Sequence, residues 1–274
     1  MMSSYTYVPP SPLAEFVDYF WLYENYQPSQ PHERLLPNGT IELVMQLGDD
    51  TAPLAVSSDH DHRKLFAGGV VVGAYSHSFM IHTTQPQTII GVHFKPGGAF
   101  PFFPVPAHEL HNLHVAFDAL WGRDAVTLRE QLQHVTAPAA RFQILEHFLR
   151  AHATRPLTLH STLRSALQLL QQGAHRPTIA DVTEQLDFSS RRFTHLFRAA
   201  VGLTPKLFFR VARFQAVLHH LEAGQPVVWA DLAFACGYYD QAHFNHDFQA
   251  FSGLTPTTYL THRTEHRNHV PLPE

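Results

Sequence analysis

One tetrapeptide occurs twice in this chain, and its second copy arrives in phase with a wider match. Gly202-Leu203-Thr204-Pro205 recurs as Gly253-Leu254-Thr255-Pro256, 51 positions later. At that same offset Phe193 pairs with Phe244, His195 with His246, Phe197 with Phe248, Ala199 with Ala250, and Phe208 with Tyr259. Each residue of the tetrapeptide has a mechanical consequence. Glycine takes the left-handed conformation that closes a helix. Threonine caps the next helix with its hydroxyl, and proline fills the first helical position, where no N–H is needed. The string therefore spells helix end, turn, helix start. The phenylalanine pairs, four residues apart, share one helix face and are expected to anchor in a core, leaving the residues between them outside.

Each copy is preceded by a short helix and a tight turn. In the first unit Thr178 is expected to cap a helix over residues 179–186, with Asp181 at its third position as in a capping box. Asp187 and Phe188 then turn, and Ser189 caps the next helix. In the second unit a helix over residues 228–236 ends at Gly237, and Asp240 caps its successor. Short helix, turn and capped helix is the helix-turn-helix plan, whose second helix enters the DNA major groove. Between the units, Phe208, Val211, Ala212, Phe214, Val217, Leu218 and Leu221 keep helical spacing over residues 205–222. Such a helix is about 27 Å long at about 1.5 Å per residue. That approaches the roughly 34 Å between successive major-groove faces of a duplex, so one protomer is expected to read two adjacent grooves.

The net charge of −4 is unusual for a DNA binder, but it averages two unlike halves. Residues 1–154 carry 8 Lys and Arg against 14 Asp and Glu, whereas residues 155–274 carry 11 against 9. Between Asp187 and Glu222 there is no acid, while Arg191, Arg192, Arg198, Lys206, Arg210 and Arg213 all fall there. Such a block is either a solvated helix face or the local field that a phosphate backbone meets. The second unit is poor in cations. From Trp229 to Arg263, Asp231, Asp240 and Asp247 oppose Arg263 alone.

At 274 residues the chain has length for two domains. With 45% hydrophobic and 15% charged residues it reads as globular rather than disordered. Residues 1–106 contain strand-length apolar runs at 41–47, 70–72 and 89–94. Turn signals at Asn38-Gly39, Gly68-Gly69 and Pro96-Gly97-Gly98 punctuate them, which predicts mainly β structure. An early helix over residues 13–23 is also expected. Residues 107–153 have helical texture, and Phe142, Leu145, Phe148 and Leu149 line one face, as a core packer or a dimer surface. Thr154 to Pro156 breaks the pattern. The division expected is therefore 1–153, mainly β with flanking helices, for effector binding or dimerisation; 154–263, all-α and DNA-binding; and a frayed polar tail, 264–274. The fold class is α+β. The opening MMSSYTYVPP shows no signal-peptide pattern, no apolar run is long enough for a bilayer, and Cys236 is the single cysteine. A cytoplasmic setting without disulfides or membrane contact is expected.

The strings SSRRFTHLFRAAVGLTPKLFFRVARFQAVLHHLEAG and ADLAFACGYYDQAHFNHDFQAFSGLTPTTYL resemble the AraC/XylS family of transcription regulators across about residues 157–262. LLPNGTIELVMQLGD and GVHFKPGGAFPFFPVPAHEL resemble the N-terminal domain of one poorly characterised AraC subgroup. The resemblance implies seven helices, two helix-turn-helix units, and control of promoters. It also implies double-stranded DNA as partner, RNA polymerase where the protein activates, and a small-molecule effector or homodimer on the N-terminal side. By motif position it presents Arg191, Thr194 and His195 to bases, with Ser190 and Arg192 nearer phosphates, and Gln241, Asn245 and His246 from the second unit. Arg192 and Arg198 are either phosphate contacts or surface ion pairs. Arg can hold guanine and Gln or Asn adenine bidentately, so the chemistry suits base reading. Departures from the family are His195 and His246 where Arg is common, Asp187 where Gly is common, and Thr183 in place of a small alanine.

The alternative is a metal-binding, sensor or enzyme domain in the N-terminal half, because the chain has 22 histidines. His60-Asp61-His62 is a short ligand-like run, and His108, His111 and His114 recur every third residue. No His-Glu-x-x-His or cysteine-containing zinc pattern accompanies them, and neither a nucleophile elbow nor a phosphate-binding loop is present. No catalytic residue, metal or cofactor is therefore expected. Cys236 is expected inside the second unit, unsuited to a methyl-transfer role. The aromatics Trp21, Tyr23, Phe79, Phe94, Phe100, Phe102 and Phe103 either line an apolar pocket or fill the core.

Overall fold

The computed structural model describes residues 2–28, 30–48, 53–57, 63–171, 179–185, 189–224, 227–264 and 266–271. Its N-terminal half is two antiparallel sheets. The larger is built from β1 (Ser3–Tyr7), β2 (Val17–Tyr26), β9 (Gln87–Phe94), β4 (Glu42–Gln46), β7 (Gly69–Val72) and β10 (His114–Ala116), in that spatial order. The smaller runs β11 (His269–Pro271), β3 (His32–Leu35), β8 (Phe79–His82), β5 (Leu54–Ser57), β6 (Lys64–Phe66). The three apolar runs read from the sequence became β4, β7 and β9, as their length and turn punctuation predict.

The early helix expected over residues 13–23 is not formed. Only Leu13–Glu15 makes a 3-10 turn, and β2 follows. Its aromatic residues suit a strand buried on one face and half-buried on the other. Phe20 and Leu22 point into the core with Phe142, while Tyr19, Trp21 and Tyr23 face the space between the sheets. With apolar residues on both faces the alternation is disguised, and the segment imitates a helix.

Three helices back the large sheet: α1 (Phe117–Trp121), α2 (Arg123–His134) and α3 (Pro138–Ala151). The apolar face of α3 is already covered. Phe142 stacks with Tyr7 and Phe148 meets Trp121, so that face is core and does not serve as a dimer surface. The C-terminal half is helical: α4 (Ser161–Gln171), α5 (Ile179–Gln185), α6 (Ser190–Val201), α7 (Pro205–Glu222), α8 (Trp229–Ala235), α9 (Gln241–Ser252) and α10 (Pro256–His262). The α+β class and its order, β half first, are as expected. Among the described residues no helix is long and apolar enough to cross a membrane.

The polar tail is a further correction. Residues 269–271 do not fray but form β11 against the outer edge of β3, with His269 opposite Leu35 and Pro271 opposite Glu33. The apolar content needed to hold a strand comes from Val270 alone, which is fully buried. The Tyr259 hydroxyl donates to the Arg267 carbonyl, and His269 lies 3.5 Å from Glu33. Removal of residues 264–274 is expected to cost about 2 kcal/mol or more, from the burial of Val270 and the lost strand pairing. Urea denaturation checks this, and an unchanged midpoint would show the tail to be dispensable.

Candidate nucleic-acid interface

The local chemistry at each unit follows the sequence closely. Ser189 Oγ accepts from the Arg192 amide and caps α6, while Asp240 Oδ1 accepts from the His243 amide at 2.7 Å and caps α9. Thr204 and Thr255 cap α7 and α10 through the Leu207 and Thr258 amides, with Pro205 and Pro256 following them. Gly202 and Gly253 close α6 and α9 at φ +95° and +69°, the left-handed region that other residues rarely enter. The helix over 205–222 has the 18 residues expected. The Thr178 cap and the Asp187-Phe188 turn lie outside the described residues.

Phe193 and Phe197 on α6, and Phe244 and Phe248 on α9, are buried in the same way, as the repeat requires. Their burial turns the remaining faces outward. Ser190, Arg191, Arg192, His195 and Arg198 are exposed on α6, and Gln241, Asn245 and His246 on α9. Among the described residues Arg191 has no ion-pair partner, and its guanidinium is available to a ligand. Thr194 is only half exposed, and its hydroxyl donates to the Ser190 carbonyl at 2.8 Å, which leaves it an acceptor's role toward a base. The unusual Thr183 is buried, with its hydroxyl 3.4 Å from Ser190 Oγ. A larger polar residue is thus tolerated on α5 because α6 supplies a partner. Ala233 on α8 and Cys236 just after it are buried in the second unit.

The basic block divides in a way that charge counting misses. Arg210 on α7 makes three contacts with Asp247 of α9, the shortest from Nη2 at 2.6 Å, and Arg213 approaches the same carboxylate at 3.9 Å. Asp247 is only 1% exposed. Two of the six cations therefore neutralise a buried acid, and the other four of the block, Arg191, Arg192, Arg198 and Lys206, are exposed. Hydrogen bonding to Asp247 raises the Arg210 pKa. The pair ties the connecting helix to the second recognition helix.

Sequence reasoning passed over Tyr239. In the Tyr238-Tyr239 pair the first ring is buried edge-on to Phe244, and the second is 90% exposed directly before the Asp240 cap. Its position ahead of the cap was the available signal. Phe234 on α8 is also strongly exposed.

Both joints of the repeat rest on the β half. A side chain at Gly202 would meet the Ala107 carbonyl and the Ala74 methyl at 3.1 and 3.2 Å, so the first joint packs against the β half. At the second, the Ser252 carbonyl accepts from Arg34 of β3 at 3.0 Å and from Ser78 at 3.4 Å. Gln215 on α7 donates to the Pro37 carbonyl and to Asn268. One continuous core joins the two halves.

Between the two sheets lies a cavity of about 380 Å³. Trp21, Tyr23 and Phe79 line it, whereas Phe94, Phe102 and Phe103 are core and Phe100 carries the Arg155 guanidinium on its ring. Residues 266–269, just before and within β11, form part of its wall, with Glu222 at the end of α7. Arg267 is paired to Glu222 at 3.1 Å. The regularly spaced histidines have separate partners. His111 bonds Ser76, and His114 bonds the Tyr75 hydroxyl, with burial pushing its pKa down to about 3. Among the described residues no three His, Cys, Asp or Glu side chains converge to hold a metal, and the His60-Asp61-His62 run lies outside them.

Comparison with known proteins follows this division. Residues 5–116 match a family described as a domain of unknown function (DUF6597), and residues 182–262 match a helix-turn-helix domain. An uncharacterized HTH-type transcriptional regulator of Haemophilus influenzae is 29% identical over 93 residues, which are 34% of this chain and 31% of that protein. The chain thus spans less than a third of that relative's length in the matched region. Among solved structures, ToxT from Vibrio cholerae aligns over 95% of this chain and 98% of its own, at 8% identity and a TM-score of 0.48. A DNA-binding transcriptional dual regulator from Escherichia coli aligns over 39% and 95% respectively, at 22% identity and a TM-score of 0.33. The helix-turn-helix match runs from α5 to α10 and takes in both units, in agreement with the AraC/XylS resemblance.

Proposed function

We propose that the chain is a sequence-specific DNA-binding transcription regulator, acting through the AraC-type helix-turn-helix domain of residues 182–262. The observation that carries this reading is the pair of capped helices, α6 and α9, joined by one 18-residue helix and turned outward on polar faces. A span of about 27 Å lets α6 and α9 enter adjacent major grooves of one duplex. The first unit anchors. Arg191 and His195 face the bases, while Ser190, Arg192, Arg198 and Lys206 face the phosphates. The second unit adds specificity through Gln241, Asn245 and His246, with the exposed Tyr239 ring beside the groove as an apolar contact for a thymine methyl. RNA polymerase is the further partner where the regulator activates, and the cytoplasm is the compartment where it meets DNA.

The cavity between the sheets is the place for a small-molecule effector. Its wall strands β3 and β8 begin or end beside the groups that hold Ser252, and its edge includes the end of α7. Occupancy there would bias the same contacts that fix α6 and α9 relative to one another, which is what coupling between two sites requires. Selection of binding sites from a random duplex library with the purified chain tests the DNA reading. Enrichment of one sequence with two boxes about one helical turn apart is expected, and no enrichment over the starting library would refute it.

A further inference from the structure

Rows of side chains across the inner face of the large sheet give the cavity two unlike zones. In the first row Tyr19, His93 and Glu42 stand side by side on β2, β9 and β4. Tyr19 stacks on the His93 ring at 4.9 Å and 5°. His93 Nδ1 donates to Glu42 Oε1 at 2.5 Å, and its Nε2 lies 3.4 Å from the Thr40 hydroxyl. Glu42, 23% exposed, lines the cavity with Oε1 held by His93. In the next row Trp21, Gly91 and Val44 are aligned. A side chain at Gly91 would collide with the Trp21 ring at 2.3 Å, so the indole lies flat over the glycine and becomes the floor. Beyond it the walls are apolar, with Val70 and Ile81 from opposite sheets.

The charges of this chamber are lopsided. Among the described residues lining it, Arg267 is the single Lys or Arg, and it is already paired with Glu222 and near His219. Burial raises the pKa of Tyr19 and of Tyr26, so the phenols remain neutral and offer π faces. A carboxylate lining the same cavity as Tyr19, Trp21 and Tyr23, with apolar residues beyond, is the complement of a cation on an apolar body. Aromatic faces attract ammonium groups, and the attraction grows when water is excluded.

We propose that this cavity binds a small organic amine, its ammonium group on Glu42 among Tyr19, Trp21 and Tyr23, and its apolar body between Trp21, Val70 and Ile81. The proposal rests on the effector reading given above and assigns it a ligand class. Among the described lining residues an anionic ligand would find no unpaired Lys or Arg, and a neutral one would gain no charge-assisted contact with Glu42, whose partner is the His93 ring alone.

The test uses the full chain and three probes of one shape: 2-phenylethylamine, 2-phenylethanol and phenylacetate. Thermal melting and isothermal titration are measured with each, for the wild-type chain and for Glu42→Gln. The amine is expected to raise the melting temperature and to bind at least about tenfold more tightly than the alcohol, as a charge-assisted contact would give. Glu42→Gln should abolish that preference while leaving the alcohol's affinity unchanged. The wild-type comparison stands without the variant if Glu42→Gln fails to fold. Tighter binding of phenylacetate or the alcohol overturns the amine assignment and leaves the effector reading standing. Binding of none of the three overturns the amine assignment, and a wild-type chain that none of a wider panel of small acids, alcohols and sugars stabilises overturns the effector reading as well.

Discussion

Replacing Arg210 with methionine is expected to destabilise the chain by about 3 kcal/mol, although the side chain touches no candidate DNA contact. The reason is the partner left behind. Asp247 is buried on α9 and would lose its three contacts with the guanidinium, retaining Arg213, His243 and His246, each at 3.9 Å. A carboxylate this buried, with no basic group nearer than 3.9 Å, is expected to force α9 away from α7. Arg210 is itself 31% exposed at the side chain, so water moderates the pair and the loss falls at the lower end of that range. The expected loss has a second consequence. Displacement of α9 would weaken operator binding through the second unit while Arg191 and its neighbours remain in place. Urea denaturation and operator titration of the same variant check both parts. The double replacement Arg210→Met with Asp247→Leu removes both charges and should recover most of the stability, since an apolar pair of similar volume is often as stable as a buried ion pair. A single variant as stable as the parent would mean that the pair does not tie the two helices together.

The other large effect concerns Arg191. Its replacement by alanine is expected to reduce operator affinity by about 10- to 100-fold, the range for one lost bidentate base contact of about 1–3 kcal/mol. Arg191 is exposed near the start of α6 with no ion-pair partner among the described residues, so truncation should leave folding intact. Gln241→Ala on α9 is expected to cost less affinity and to relax base preference in one box. The difference follows from their surroundings. α6 adds Arg192, Arg198 and nearby Lys206, whereas the outward face of α9 presents neutral or histidine side chains. Equal or reversed losses, measured by titration against the selected operator, would remove the anchoring role from the first unit.

How much of this was legible beforehand depends on whether the determining interaction is local. Ser189, Thr204, Asp240 and Thr255 act within three residues of themselves, and all four were readable as caps. The aromatic anchors were readable because their offset repeats. Asp247 was misjudged for the opposite reason. Counted along the chain it is an acid that weakens the second unit, and only the fold brings Arg210, 37 positions earlier, against it. β2 is ambiguous because both of its faces carry aromatic or apolar residues, one buried in the core and one half-buried along the cavity, so the sequence shows no simple polar alternation. The tail was misread because its polar composition says nothing about the open edge of β3 that receives it. Trp21, Tyr23 and Phe79 could not be separated from Phe94, Phe102 and Phe103 by composition, since cavity wall and core use the same residue types. Strand register separates Phe94 from the wall residues, and Phe102 and Phe103 are set apart by their place in the loop after β9.

In the proposed function one protomer reads two adjacent major grooves, each with its own helix. Methylation-interference footprinting on the selected operator, at a measured stoichiometry of one protomer per site, tests it most directly. The predicted result is two major-groove patches about one helical turn apart, with Arg191→Ala erasing one and Gln241→Ala thinning the other. A single patch per protomer, or both variants acting on the same patch, would contradict it.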